Sequence, residues 1–302
     1  MRLISFTPDD GALRAGVDAD GVAVDLAAAA ESLGHKEVAA AARAGVRGML
    51  EAGLDLVRPV AEAVLADSAA AVREGRGWPL AEVRLGPPVP DPGKIICLGL
   101  NYRDHADECG LAYPEAPMFF PKYANSLVGT DAVVHPPLET DRVDYEAELA
   151  VVIGRRGRRI DARDALGHVA GAMTLNDISA RDLQLSNQLW TRGKAIDGFA
   201  PCGPALVTLD ELGDPQALGI RTRLNGAVMQ DGTTADMIFG VATAIAFLST
   251  TMTLEPGDII ATGTPAGVGQ SRTPPVFMAE GDVVEVEIDG IGAVRTEIGA
   301  FA

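Results

Sequence analysis

VDYEAELAVVIG, residues 143–154, turns from acidic to wholly apolar and β-branched within a few positions, as a strand does on entering a core. On a strand, residues i and i+2 share a face, so Glu146 and Glu148 point the same way with their Cβ atoms about 6–7 Å apart. They share that face with Ala150 and Val152, and burying two unpaired carboxylates there is costly. A cation between them removes the cost. A second apolar run, in GAMTLNDISARD (171–182), ends on Asp177, which is placed to supply a third oxygen. Carboxylate-only ligands suit a hard cation, Mg²⁺ or Mn²⁺, which keeps about three of its six positions for water and substrate. Read alone, E-x-E also fits an edge strand with solvated glutamates.

The 302-residue chain is long enough for one large core, or for one core plus a small accessory domain. With 47% hydrophobic and 22% charged residues, 34 Gly and 19 Pro, it reads as a folded protein with many turns. A net charge of −17 excludes general nucleic-acid binding, which needs a basic surface. It also means that an anionic substrate must be drawn in by a local cluster of cations. Cys97, Cys109 and Cys202 are odd in number and widely spaced, which predicts free thiols in a reducing compartment and no zinc site. MRLISFTPDDG lacks the pattern of a signal peptide, and the longest apolar stretch, VATAIAFLSTTMTL, is too short to span a bilayer. The expected compartment is the cytoplasm, with no membrane partner.

Residues 1–75 differ in texture from the rest. Short strand-like pieces lead into Ala-rich helical sequence from Leu26 to Val72, with Pro59 placed to open the second of two helices. This block is expected to be a small α+β accessory domain, followed by a Pro/Gly-rich linker over 76–93. From Lys94 to the end the chain is mostly short β runs, including DIIATG (258–263) and DVVEVEI (282–288), the latter turning back through Asp289-Gly290. Helices are expected only at 180–190 and 236–251. The fold class is α+β, mostly β, with a rolled or sandwich-like catalytic domain over 94–302. Arg155-Arg156-Gly157-Arg158-Arg159 reads as the solvated tip between two strands. TGTPAGVG (262–269) is no phosphate loop, because no Lys-Ser/Thr pair and no helix follow. It reads as a Gly-rich strand end that lets a ligand approach the backbone.

Six segments together resemble the fumarylacetoacetate hydrolase family: ICLGLNYRDHADE, DYEAELAVVIG, NDISARDLQ, WTRGK, DMIF and LEPGDIIATGTPAGVG. The resemblance implies a β-rich catalytic fold and a homodimer. It makes Glu146, Glu148 and Asp177 the metal ligands, and His105 and Glu108 a dyad that activates water. A spacing of three fits one helical turn, with the carboxylate setting the tautomer and basicity of the imidazole. Lys194 matches a lysine that stabilises developing negative charge, and Arg181 and Gln184 match substrate contacts. Thr264 is expected to hydrogen-bond a substrate carboxylate. Lys122, in FFPKYANS, is a further substrate-binding candidate, although a tyrosine follows it where the family often has proline or a small residue. His135 and His168 read as structural, Trp190 as a packing anchor and Cys109 as a small apolar residue.

A 2-oxo acid can chelate a divalent ion through its carboxylate and keto oxygens. If His105 then delivers water to a carbonyl two carbons away, the intervening C–C bond breaks, with Lys194 stabilising the departing enolate. Acylpyruvate-like 2,4-dioxo acids are therefore the leading substrates. Decarboxylation of oxaloacetate is the runner-up, and isomerisation or dehydration of related oxo acids comes third. A non-catalytic ligand-binding protein on the same fold is the alternative from another class. The segment 103–117 is expected to act as a lid that closes as a short helix.

Overall fold

The protein is described here by a computed structural model that covers residues 1–9 and 11–302. Its centre is the strand Ala147–Ile153, every residue of which is buried. Alternation sends Leu149, Val151 and Ile153 to one hydrophobic core and Ala150 and Val152 to another. A strand buried on both faces must sit inside a sheet. It pairs antiparallel with Val169–Asn176 on one side and with Ile259–Ala261 on the other.

The sheet built on this centre has twelve strands. Beyond Ile259–Ala261 come Ile95–Gly99 and then Met118–Lys122 at the edge. In the other direction, Val169–Asn176 pairs with Ala200–Thr208, which pairs with the N-terminal strand Arg2–Thr7. Arg14–Asp18, Val22–Asp25 and Gly77–Pro79 extend the sheet further. A five-stranded sheet containing Gly219–Leu224, Ala227–Thr233, Val283–Ile288 and Gly292–Ile298 packs on the Leu149 side. The predominantly β, α+β class expected from the sequence is the class observed.

Four local readings are corrected. Residues 26–73 form five short helices, not two, and the breaks fall at residues such as Gly45 and Gly53, whose φ values are +89° and +95°. Pro59 lies inside the helix Leu54–Ala66, several residues past its start, instead of opening it. The helix expected over 180–190 is two pieces, Arg181–Leu185 and Thr191–Lys194. Between them Asn187 caps the Leu189 amide with its side chain, a local bond that competes with helix. The stretch 76–93 is no free linker, since Gly77–Pro79 and Arg84–Leu85 both pair into the large sheet. The arginines of 155–159 do occupy the turn between two central strands, and Arg156 pairs with Glu255 at 3.0 Å.

Candidate active site

Glu146 and Glu148 flank Ala147 at the end of the central strand. The Glu146 amide donates to the Asn176 side chain at 3.0 Å, and the Asp177 amide donates to the Glu146 carbonyl at 2.9 Å. These two bonds bring Asp177 alongside the strand, so one oxygen from each of the three buried carboxylates lies within 4.8 Å of the others.

Three cations sit against this acidic group. Lys194 donates to Glu146 Oε2 and Asp177 Oδ2 at 2.7 Å each. Arg181 donates from Nε to Asp144 at 2.8 Å and from Nη1 to Glu146 at 2.6 Å. Lys122 binds Asp177 and donates to the Ile178 carbonyl at 3.1 Å. Burial opposes charge on Glu146, but Lys194 and Arg181 outweigh it and hold the carboxyl well below its usual range. Burial likewise opposes charge on Lys194, and Asp177 and Glu146 overcome it and raise its pKa.

Glu148 differs. Among the described residues its one hydrogen-bond partner is the Gly263 amide, at 2.9 Å, and burial, followed by the fields of Asp177 and Glu146, pushes its pKa well up. Four buried carboxylates therefore meet three cations, and the one left over belongs to the triad. An all-oxygen donor set with an uncompensated buried charge fits a hard divalent cation such as Mg²⁺ or Mn²⁺.

Facing the carboxylates is the short helix Arg103–Glu108. His105 Nδ1 lies 3.2 Å from Glu108 Oε2, and the other Glu108 oxygen accepts from the Gly267 amide at 2.9 Å. Burial works against the imidazolium, but bonds to Cys109 and Glu108 and the field of Glu146 raise the His105 pKa to about 9. Cys109 lies 3.9 Å from both imidazole nitrogens, and that contact lowers its thiol pKa. It is thus more than the small apolar residue expected.

The glycine-rich loop has a different role from the one read in the sequence. Its amides are spent on protein carboxylates: Gly263 on Glu148, Gly267 on Glu108, and Gly269 and Gln270 on Asp144. Gly263 and Gly267 need positive φ (+92° and +102°), and a Cβ on Gly267 would lie 2.2 Å from the Met229 carbonyl.

A cavity of about 470 Å³ opens between loop, helix and strand. His105, Glu108, Glu146, Glu148, Arg181, Gln184, Lys194 and Thr264 line it. Leu98, Met118, Phe120 and Trp190 form an apolar wall, so Trp190 packs edge-on against Phe120 and also faces the cavity. Lys122 is not in the lining. It is buried and paired with Asp177. His135 and His168 are remote, each bonded to a backbone carbonyl at 2.9 Å.

Sequence reasoning missed Asp144, which anchors Arg181 and accepts two loop amides. The alternation D-Y-E-A-E carried that signal, because it sets a third acid two residues ahead of Glu146. It also missed Asn101, which holds Phe239 and Thr262 through three hydrogen bonds to their backbone groups.

A buried carboxylate triad that could hold a metal ion, with a His–Glu pair beside it, is an arrangement suited to an enzyme site. Residues 94–299 match the model of the fumarylacetoacetate (FAA) hydrolase C-terminal domain, and the chain belongs to this family. The chain is 47% identical over 223 residues to oxaloacetate tautomerase FAHD2A, mitochondrial, of Homo sapiens, covering 73% of this chain and 71% of that one. It is 47% identical over 226 residues to oxaloacetate tautomerase YisK of Bacillus subtilis, covering 74% and 75%. Among solved structures, the fumarylacetoacetate hydrolase of Exiguobacterium antarcticum superposes with a TM-score of 0.80 at 35% identity, covering 99% of both chains. No helix among the described residues is long and apolar enough to cross a membrane.

Proposed function

We propose that this protein interconverts the enol and keto forms of oxaloacetate, or of a closely related 2-oxo acid. The observation that carries the reading is the His105–Glu108 pair, which opens into the same cavity as Glu146 and Glu148 of the carboxylate triad. The two relatives named as oxaloacetate tautomerases direct the choice of reaction. Glu146, Glu148 and Asp177 would hold a divalent cation, which supplies Lewis acidity toward a 2-oxo acid.

The residues of the chain divide the remaining work. Lys194 and Arg181 hold Glu146 and Asp177 in place and lower the negative potential that would repel an anionic substrate. Thr264 and Gln184 offer hydrogen bonds to the substrate carboxylate. With Nδ1 engaged by Glu108, His105 presents Nε2 to the substrate, and the bond to Glu108 favours its imidazolium form. In the enol-to-keto direction His105 gives its proton to C3. The C2–C3 π pair forms the new C–H bond, and the enol O–H pair becomes the C2 carbonyl as its proton leaves to water. His105 is then reprotonated by solvent, and the reverse direction uses the same groups in the opposite order.

A second reading is C–C hydrolysis of acylpyruvate-like 2,4-dioxo acids. The apolar wall of Leu98, Met118, Phe120 and Trp190 favours it, because a small dicarboxylate leaves that wall uncovered. Freshly dissolved enol-rich oxaloacetate, with Mg²⁺ or Mn²⁺, tests the two. Rapid loss of enol absorbance without pyruvate supports tautomerisation, and matching pyruvate release would replace it with decarboxylation. If oxaloacetate is untouched while an acylpyruvate releases an acid bearing one ¹⁸O from labelled water, the hydrolytic reading takes its place.

A further inference from the structure

Gln230 lies in the strand Ala227–Thr233, on a hairpin remote in sequence from every catalytic motif. The pairing register shifts beside it, where Thr222 opposes Gln230 but Arg223 opposes Val228. Such a bulge re-aims the side chains around it, and Gln230 is buried to 1% exposure between the glycine-rich loop and the central strand.

Its amide orientation is settled by two groups whose roles cannot change. The Ala147 backbone N–H can only donate, and lies 3.0 Å from Gln230 Oε1. The Pro265 carbonyl can only accept, and lies 2.8 Å from Nε2. Oε1 therefore also accepts from the Thr222 hydroxyl at 2.7 Å, and Nε2 also donates to Thr264 Oγ1 at 2.8 Å. All four hydrogen-bonding positions of the amide are used.

The consequence falls on Thr264. Its oxygen already accepts one hydrogen bond from Nε2, which leaves its proton and one lone pair for other partners. Among the described residues none takes that proton, while Thr264 lines the cavity at 4% exposure. We infer that Gln230 is a positioning residue that fixes the Thr264 hydroxyl as a donor toward the cavity, making this corner a receptor for an oxygen anion of the substrate. The inference rests on the reading that a 2-oxo acid occupies the cavity. It adds a residue that orients the Thr264 proton, which a carboxylate or enolate oxygen can accept.

Calorimetric titration of the full chain with oxalate at saturating Mn²⁺ tests this without relying on turnover. Thr264→Val is expected to weaken oxalate by roughly ten- to a hundredfold, the range for a hydrogen bond to a charged group. Thr264→Ser keeps the hydroxyl and should stay within about threefold of wild type, well inside that loss. Gln230→Met is expected to weaken oxalate by about tenfold when Thr264 is present and by nothing further in the Thr264→Val background. Gln230→Glu keeps the size of the side chain but offers an acceptor to the Thr264 proton, so it should behave in the same way and serves if the Met variant does not fold. Mn²⁺ affinity measured without oxalate should be unchanged in both Gln230 variants. Equal losses with and without the Thr264 hydroxyl, or a parallel loss of Mn²⁺ affinity, would reduce Gln230 to a structural support of the ligand strand and overturn the inference. So would a wild-type protein that fails to bind oxalate. Coupling that holds in a protein inert toward oxaloacetate would sink the tautomerase reading and leave this one standing.

Discussion

Glu148 has an amide for company where Glu146 and Asp177 have lysines, and that difference makes it the residue most dependent on a bound cation. A ligand that binds only the native state stabilises it by mass action, so wild-type melting temperature should rise with Mg²⁺ or Mn²⁺. Glu148→Gln should abolish that rise while leaving the metal-free protein at least as stable, because a buried, uncompensated charge is gone. A metal-dependent melting shift of wild-type size in this variant would remove the triad as the cation site. Lys122 makes the opposite case. Lys122→Met strips one of two cations from the enclosed Asp177 and should cost about 3–5 kcal/mol in denaturant unfolding, as broken buried pairs do. A loss below about 1 kcal/mol would show that Lys194 alone suffices. The triad, His105, Glu108 and Lys194 were all legible in the sequence, because each stands in a motif with its own spacing. The role of Lys122 was not, since nothing in FFPKYANS says that its side chain turns inward behind Asp177. Gln230, in an ordinary hairpin, carried no signal at all.

At the scale of elements, the helix Arg103–Glu108 is held over the cavity by a few identifiable contacts. Arg103 donates to the Met237 carbonyl at 2.9 Å, the Asp104 amide donates to the Asp236 carboxylate at 3.0 Å, and Glu108 takes the Gly267 amide. Glu108 thus serves His105 and the glycine-rich loop together. Glu108→Ala should raise hydrogen exchange across 103–109 and leave the strand Ala147–Ile153 protected. Unchanged exchange in the helix would mean that the remaining contacts hold it closed. The same bond has a pH sense. His105 is raised from an unfolded value of about 6.5 to about 9, so its tie to Glu108 is fully present below the former and is lost as pH rises through the latter. The protection factor of the helix, corrected for the intrinsic rise of exchange with pH, should therefore fall between those limits in metal-free protein, and a constant one would show that the imidazolium does not fasten it. The strands 258–263 and 282–288 were readable from their β-branched runs, and both exist, the first shortened to Ile259–Ala261 and the second starting at Val283. The break at 186–190 was hidden because its cause is one Asn side chain competing with helix, inside a segment whose composition is otherwise helical.

For the whole molecule, residues 1–75 matter more than an appended domain would. Arg2 and Leu3 pair with Val207 and Leu206, so the N-terminal strands continue the large sheet past Ala200–Thr208. The core on the Ala150–Val152 side mixes Leu3, Val17 and Met49 with Met173, Leu175 and Ile259. That continuity was illegible in the sequence, where a change of texture near residue 75 looks like a boundary although the strands on either side share hydrogen bonds. Surface contacts add little. Arg58 binds Asp210 at 2.8 Å and its hydrogen bond lowers that carboxyl to about 2, so the pair contributes above the unfolded value near 4 and is lost as pH falls through 2. Arg58 is half-buried and Asp210 exposed, so water screens the pair and Arg58→Ala should cost no more than about 1 kcal/mol. Removing residues 1–75 is another matter. It strips the edge from Ala200–Thr208 and uncovers the apolar face that carries Ala150, Val152 and Met173, on the same side of the central strand as Glu146 and Glu148. An open edge beside a bare apolar face favours aggregation. The family model starts at residue 94, yet a fragment of 94–302 should be insoluble or lack a cooperative thermal transition, even with Mn²⁺ present. A monodisperse fragment that melts cooperatively and gains stability from Mn²⁺ would show that the catalytic half folds alone and that the N-terminal strands only extend it.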